Sequence, residues 1–280
     1  MIPAGFTQID VAAPFVTAFG PIYAKRQGER VSFGFRAEAQ HLNPKGFGHG
    51  GALATFADMQ LVAHMFTGTL ARLRAPTISL SLDYLAPVRL GDWVEGDVDL
   101  IKRTGRLAFS ETILTVTGEP VARSRGLFAY SDANPPLDPP PPAAPMELAP
   151  PPPGFEAFNP GNGFGELFGP MASASDPPRI GFRVAPHHLN LFGRCHGGAL
   201  AMLADYQLAP LRLSGVEPSR GFAPTLSLQV DYLNAAALGD WVEAECTRHH
   251  ASGRYLFTQA LMSNAQGPVA RSSAIYAVTR

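Results

Sequence analysis

Asn43, His49, Gly50, Gly51 and Asp58 return in the same order and at the same internal spacing as Asn190, His196, Gly197, Gly198 and Asp205. The offset is 147 at both ends of the set (190 − 43 and 205 − 58), so neither copy has gained or lost a residue. Downstream, APTISLSLDYL at 75–85 returns as APTLSLQVDYL at 223–233, Gly-Asp-Trp-Val-Glu at 91–95 returns at 239–243, and Pro-Val-Ala-Arg-Ser at 120–124 returns at 268–272. A duplicated unit of about half the chain requires one fold built twice and, potentially, one site built twice.

The bulk numbers agree with two domains of ordinary size in 280 residues. A hydrophobic content of 46% suffices for buried cores, whereas 16% charged residues is low and points to surface hidden against a partner or a second copy. A net charge of −1 argues against nucleic acid as the main partner, because phosphate binding needs a basic face, and any anion-binding patch must be local. Cys195 and Cys246 have no cysteine counterpart in the first copy, so no disulfide framework is expected and a reducing cytoplasm fits. The opening residues MIPAGFTQID carry neither a basic segment nor a long apolar run, and no stretch approaches the ~18 apolar residues a membrane helix needs. The expectation is a soluble cytoplasmic protein that engages neither membrane nor nucleic acid.

Three segments follow: a first domain at 1–130, a linker at 131–153 and a second domain at 154–280. Eleven of the 27 prolines fall in the linker, which reads either as a polyproline spacer or as a disordered tether. Each unit begins with a short amphipathic segment (Ile9 to Phe19, with a weaker counterpart around Phe164 to Phe168). In the first unit, two strands are expected near 21–26 and 30–37, followed by a polar loop from His41 to Gly48. From His49 to about Phe66 the apolar positions Ala52, Leu53, Phe56, Ala57, Leu61, Val62 and Met65 recur at helical spacing, which predicts a long buried helix. Thr77 to Tyr84 alternates with a period of two, and further strands are expected near 93–102, 107–116 and 119–130. Gly105 and Gly118 mark short antiparallel connections. The fold class is therefore α+β: a long helix wrapped by an antiparallel sheet, twice. Pro210 predicts that the second helix stops or kinks about a turn early.

Singly, each repeated polar residue has an unremarkable structural explanation: Asn43 as a turn former, His49 as a cap, and the glycines as packing points. Asp58 is harder to explain that way, because Ala54, Thr55, Leu61 and Val62 surround it at helical spacing, as Ala201, Met202, Leu208 and Ala209 surround Asp205. A buried carboxylate needs water, a hydrogen-bond donor or a substrate. A helix opening at His-Gly-Gly presents unpaired N–H groups and roughly half a positive charge. A carbonyl could approach Gly50 closely, and one such oxyanion donor is worth about 10²–10³ in rate. A carboxylate nearby could activate water or attack the same carbonyl. These parts suit acyl transfer to water.

The pattern Asn-x5-His-Gly-Gly-x6-Asp, followed by the Thr-x-Ser-Leu-x-x-Asp-Tyr-Leu strand and Leu-Gly-Asp, resembles the PaaI-like (4HBT-type) hotdog thioesterases in tandem form. The resemblance covers about 14–130 and 164–280. It implies two hotdog units packed as a pseudo-dimer, with Gly50 and Gly197 polarising the thioester carbonyl through their N–H groups. It also implies Asp58 and Asp205 as general base or nucleophile. Asn43 and Asn190 would position water or substrate, His49 and His196 would steady the loop and thioester end, and Thr77 and Thr225 would hydrogen-bond the carboxylate or the water. Because family sites lie between two hotdogs, Asn43, His49 and Gly50 should face Asp205, and Asn190, His196 and Gly197 should face Asp58. Lys45, Arg72, Arg74, Arg194 and Arg220 are candidates for the coenzyme A phosphates, although ordinary solvated surface explains them equally well.

The leading expectation is hydrolysis of acyl-CoA to free acid and coenzyme A without metal or redox cofactor, with a homodimer of double hotdogs plausible. A 3-hydroxyacyl-thioester dehydratase or hydratase and a non-catalytic acyl-thioester binding module are the alternatives. Cys195, in the place of Gly48, reads as a small buried residue. His249 and His250 sit side by side on a strand, without a ligand cluster nearby.

Overall fold

The computed structural model describes residues 1–61, 75–129, 147–217 and 221–278. The first repeat contributes β1 (Thr7–Ile9), α1 (Pro14–Phe19), β2 (Ile22–Gln27), β3 (Arg30–Arg36), α2 (Gly50–Asp58), β4 (Thr77–Tyr84), β5 (Trp93–Arg103), β6 (Leu107–Val116) and β7 (Glu119–Ala129). The second contributes β8 (Glu156–Phe158), α3 (Phe164–Phe168), β9 (Met171–Ser175), β10 (Pro178–Arg183), α4 (Gly197–Asp205), α5 (Leu208–Leu213), β11 (Thr225–Tyr232), β12 (Trp241–Ala251), β13 (Tyr255–Asn264) and β14 (Gly267–Ala277). All pair antiparallel in one sheet, ordered β1-β2-β3-β5-β6-β7-β4-β11-β14-β13-β12-β10-β9-β8. No helix among the described residues is long and apolar enough to cross a membrane.

The repeats meet at β4 and β11, where Leu82 pairs with Leu228 and Leu80 with Val230. The seam is stitched on its polar face, where Ser79 donates to Asp231 at 2.7 Å and Ser227 donates to Asp83 at 3.0 Å. On the other face Leu80, Leu82, Leu228 and Val230 are buried, as the period-two pattern requires. One apolar core runs through both repeats. Phe56 of α2 stacks on Phe33 at 4.2 Å and contacts Phe35 at 4.6 Å, the two phenylalanines projecting from the same face of β3.

Helices α2 and α4 touch across the seam, and the second glycine of each His-Gly-Gly makes this possible. A Cβ on Gly51 would lie 3.0 Å from the Met202 Cα, and one on Gly198 would lie 2.9 Å from the Thr55 Cα. The Thr55 hydroxyl then donates to the Gly198 carbonyl at 3.2 Å. The short helices are exchanged between halves: the Phe15 N–H donates to the Leu189 carbonyl at 3.1 Å, and the Phe164 N–H to the Leu42 carbonyl at 3.0 Å. Two stretches of backbone thus close over the partner repeat's loop.

Two expectations about the helices need correction. The first helix is interrupted after Asp58, with helical geometry resuming at Gln60 and Leu61, the last described residues of this stretch, and α4 ends at the matching Asp205. Met59 and Tyr206 leave helical geometry with φ −87° and ψ near zero, and each N–H folds back on the carbonyls two and three residues earlier. In the second repeat Gln207, fully buried, donates through its side chain to the Ala204 carbonyl at 2.9 Å and accepts from Thr258 at 2.9 Å, fixing the helix end to the sheet. Gln60 accepts from Thr112 at 3.1 Å in the first repeat. Pro210 does not cause the break, since both helices stop at the same place. It occupies the first turn of α5, where a missing N–H costs little. Val62, Met65 and Phe66 lie outside the described residues, as does most of the expected linker. Its end is docked, with Arg183 donating to the carbonyls of Ala149 and Pro150.

Gly198→Ala gains helix propensity yet forces α4 away from Thr55. Overpacking of this kind costs about 1–3 kcal/mol, against about 0.5–1 kcal/mol gained in propensity. Urea unfolding should therefore show a net loss of stability, and equal or greater stability would refute the close contact.

Candidate functional site

The loop preceding each central helix is set by histidines that sequence reasoning passed over. His41 and His188, again 147 apart, are buried. Each Nδ1 accepts a backbone N–H at 2.9 Å, from Glu38 and Ala185, leaving the Nε2 proton for the carbonyls of Phe19 (2.7 Å) and Phe168 (2.8 Å). Burial lowers both, His188 to about 3. Asn43 and Asn190 shape the same loops. The Asn43 Oδ1 accepts from Lys45 (2.9 Å) and Phe47 (3.3 Å), and the Asn190 Oδ1 from Phe192 (2.8 Å) and Arg194 (3.1 Å). Their oxygens are committed to the turn, which leaves the amide NH2 as the group able to meet a ligand.

His49 is the N-cap of α2 and His196 the N-cap of α4. Their Nδ1 atoms accept the N–H of Gly51 (3.0 Å) and Gly198 (2.9 Å). The carboxylate at each helix start comes from the other repeat. Asp205 Oδ2 accepts the Gly51 N–H at 3.0 Å while Thr225 donates to its Oδ1 at 2.7 Å. Asp58 accepts from Thr77 at 2.7 Å and from the Gly198 N–H. The first glycine of each pair permits the approach, because a Cβ on Gly50 would stand 2.6 Å from Asp205 Oδ2, and one on Gly197 2.5 Å from Asp58 Oδ2. The geometry thus brings His49, Gly50, Asp205 and Thr225 together, and likewise His196, Gly197, Asp58 and Thr77. Tyr84 and Tyr232, both inside the repeated strand run, donate to the carbonyls of Gly50 (2.9 Å) and Gly197 (3.1 Å) and hold the first helical turn.

The threonines reach the carboxylates through a bulge. Strict alternation would put Thr77 on the face of Ser79, away from the helix, but the register shifts between Thr77 and Ser79 and between Thr225 and Ser227. One extra residue turns each threonine inward.

Burial governs the charges. It raises the Asp58 carboxyl above its usual range, against the opposing pull of His196, Thr77 and the Gly198 N–H. It lowers His49 and His196, against the adjacent aspartates. The histidine–aspartate contacts, 3.3 Å for His49–Asp205 and 3.5 Å for His196–Asp58, are therefore not ion pairs. An Nδ1 that accepts a backbone N–H carries a lone pair, and its ring is neutral. Cys195 is buried, and burial pushes its thiol far up.

A cavity of about 730 Å³ opens on the Asp205 site, lined by Asn43, His49, Gly50, Leu53, Tyr206 and Thr225 among others, with mainly apolar walls. Lys45 stands on its rim, exposed. Arg194 is exposed on the second loop, and Arg72, Arg74 and Arg220 lie outside the described residues. Among the described residues no three His, Cys, Asp or Glu side chains gather as a metal site would require.

Since burial holds the folded Asp58 carboxyl above the ordinary aspartate range, the unfolded chain ionises first as pH rises, and stability is lost through that window. Asp58→Asn should therefore raise the thermal midpoint at pH 7. The gain should vanish as pH falls toward 4, and a gain independent of pH would contradict the burial argument.

Residues 45–120 match the thioesterase superfamily model, and residues 131–274 match the acyl-CoA thioesterase C-terminal domain model. "Putative esterase PA0474" of Pseudomonas aeruginosa is 30% identical over 128 residues, covering 45% of this chain and 96% of that protein. A hot dog fold protein from Alicyclobacillus acidocaldarius superposes with a TM-score of 0.67 at 15% identity, over 95% of this chain and 98% of that one. Acyl-CoA thioesterase II TesB2 from Mycobacterium marinum gives 0.59 at 13% identity, over 89% and 91%. A duplicated helix-on-sheet unit, matched along both halves by thioesterase models, places the chain in the hotdog-fold thioesterase superfamily.

Proposed function

We propose that the chain hydrolyses acyl-CoA thioesters to free acid and coenzyme A, at composite sites between two hotdog units fused as a pseudo-dimer. The observation that carries this reading is the Asp205 carboxylate held at 3.0 Å from the Gly51 N–H, against Gly50, in the wall of an apolar cavity of about 730 Å³. Superfamily membership supports thioester cleavage as the chemistry. The acyl chain would occupy the apolar part of the cavity, and Lys45 at the rim would meet the phosphates of the coenzyme.

In this reading the thioester carbonyl oxygen accepts the Gly50 N–H, which has no intrahelical acceptor by position. The helix N-terminus adds its partial positive charge. Asp205, oriented by Thr225, takes a proton from water, and the resulting hydroxide attacks the carbonyl carbon. The oxyanion collapses, the C–S bond breaks, and the thiolate leaves with the proton returned by Asp205. His49 acts as a neutral cap that keeps the Gly50–Gly51 turn in place. Gly197, Asp58, Thr77 and His196 take the corresponding roles in the second site. Direct attack by the carboxylate would instead pass through an anhydride, and its opening by water at the aspartyl carbon would leave ¹⁸O in the aspartate after a single turnover in ¹⁸O-water.

Free coenzyme A release from short, medium, long and aryl acyl-CoA tests the assignment, with the same acyl groups on acyl carrier protein as comparison. The Asp58→Asn/Asp205→Asn double variant should bind acyl-CoA with affinity close to the parent and lose turnover, and retained turnover would refute the mechanism. In an Asp58→Asn background, where the Asp205 site works alone, Gly50→Ala should lower turnover about 10²-fold or more, because the methyl displaces the carboxylate and blocks the oxyanion donor. Near-parental activity of that variant would exclude Gly50 from the reacting centre.

A further inference from the structure

The two composite sites differ at one position beside the histidine. Tyr206, immediately after Asp205, turns its hydroxyl toward His49 of the first repeat, with Nε2 to Oη at 3.1 Å. The same hydroxyl donates to the Pro160 carbonyl at 2.8 Å. The Tyr206 ring is steadied edge-on by Phe158 at 5.7 Å and lies tilted against His49 at 5.3 Å. At the equivalent place after Asp58 stands Met59, buried and unable to donate a proton. His196 meets the ring of Phe15 at 5.2 Å.

A carbonyl oxygen can only accept, so Pro160 sets the direction of the chain from one end, in agreement with the Gly51 N–H at the other. The Tyr206 O–H points to Pro160, its oxygen therefore accepts, and His49 must carry its proton on Nε2. That leaves the Nδ1 lone pair for the Gly51 N–H, the arrangement that caps α2 and holds Gly50 against Asp205. Were the proton on Nδ1, it would point at Asp205 Oδ2, 3.3 Å away, and the Gly51 N–H would lose its cap. We infer that Tyr206 is a positioning residue that adds a second hold on the His49 tautomer beside the Gly51 N–H, so that the Asp205 site is preorganised by a device the Asp58 site, where His196 has only the Gly198 N–H, lacks. The inference rests on the thioesterase reading only for its kinetic consequence; the tautomer assignment stands on geometry.

The test uses the full chain with ¹⁵N-labelled histidine, whose long-range ¹H–¹⁵N correlations report which ring nitrogen carries the proton. The parent should show His49 as Nε2–H, with His49→Gln identifying the signal. Tyr206→Phe keeps the ring contacts and removes only the hydroxyl. It should shift His49 toward the Nδ1–H form while the His196 signals stay in place as an internal control. In the Asp58→Asn background the same change should lower kcat about five- to tenfold, the worth of one neutral hydrogen bond, with KM within about twofold. A parent His49 protonated at Nδ1, or a His49 pattern unaltered by Tyr206→Phe, overturns the inference. The spectra decide this whether or not any thioester is turned over, so failure of the inference and failure of the thioesterase reading remain separate.

Discussion

A carboxylate buried at the start of a helix that belongs to the other repeat is the interaction on which this architecture turns. A lone aspartate among apolar side chains is costly, and burial does raise Asp58. What makes the arrangement tenable is a set of donors no single repeat can supply. These are a backbone N–H at the facing helix N-terminus, that helix's positive end, and a threonine from the aspartate's own repeat. The contact requires glycine at the first helical position, so that the carboxylate can approach, and glycine at the second, so that the helices can touch. It also requires the helices to meet across the β4–β11 seam. Each repeat therefore completes a site that the other begins.

Neutral histidines complete the arrangement. His49 and His196 sit beside carboxylates, where charge pairing would be the first guess, yet both accept a backbone N–H through Nδ1. They cap helices, just as His41 and His188 brace the preceding loops through the same pattern of one accepted N–H and one donated proton. Burial favours the uncharged ring, and the hydrogen bonds choose its tautomer.

Duplication has preserved the reacting geometry and relaxed its surroundings. Lys45 corresponds to Phe192, Phe47 to Arg194, Met59 to Tyr206 and Phe128 to Tyr276. Tyr276 adds a hydrogen bond to the Asp205 carbonyl at 3.1 Å that phenylalanine cannot make. Fusion into one chain lets such differences accumulate, because each site draws on one defined pair of halves instead of two identical ones, and the tether keeps those halves at high effective concentration.

The repeat, the strand boundaries and the His-Gly-Gly helix start were legible because period-two and helical patterns report burial directly. The internal duplication itself marked the residues that the fold brings together, and His41 and Gln60 carried the same signal at the 147 offset, Tyr84 at 148. Three things were decided only in three dimensions. The helices break after Asp58 and Asp205, although the apolar spacing runs on, and Gln60 and Gln207 tie each break to the sheet through contacts distant in sequence. Thr77 and Thr225 face the helix because a bulge overrides the alternation that would turn them away. The Nε2 proton of His49, which the Gly51 N–H already favours, meets Tyr206, whose own proton is committed to the Pro160 carbonyl more than a hundred residues along the chain. Periodicity records which face of an element is buried. It carries no information about which distant donor or acceptor will stand opposite a given polar atom, and in this protein the chemistry of the site depends on those partners.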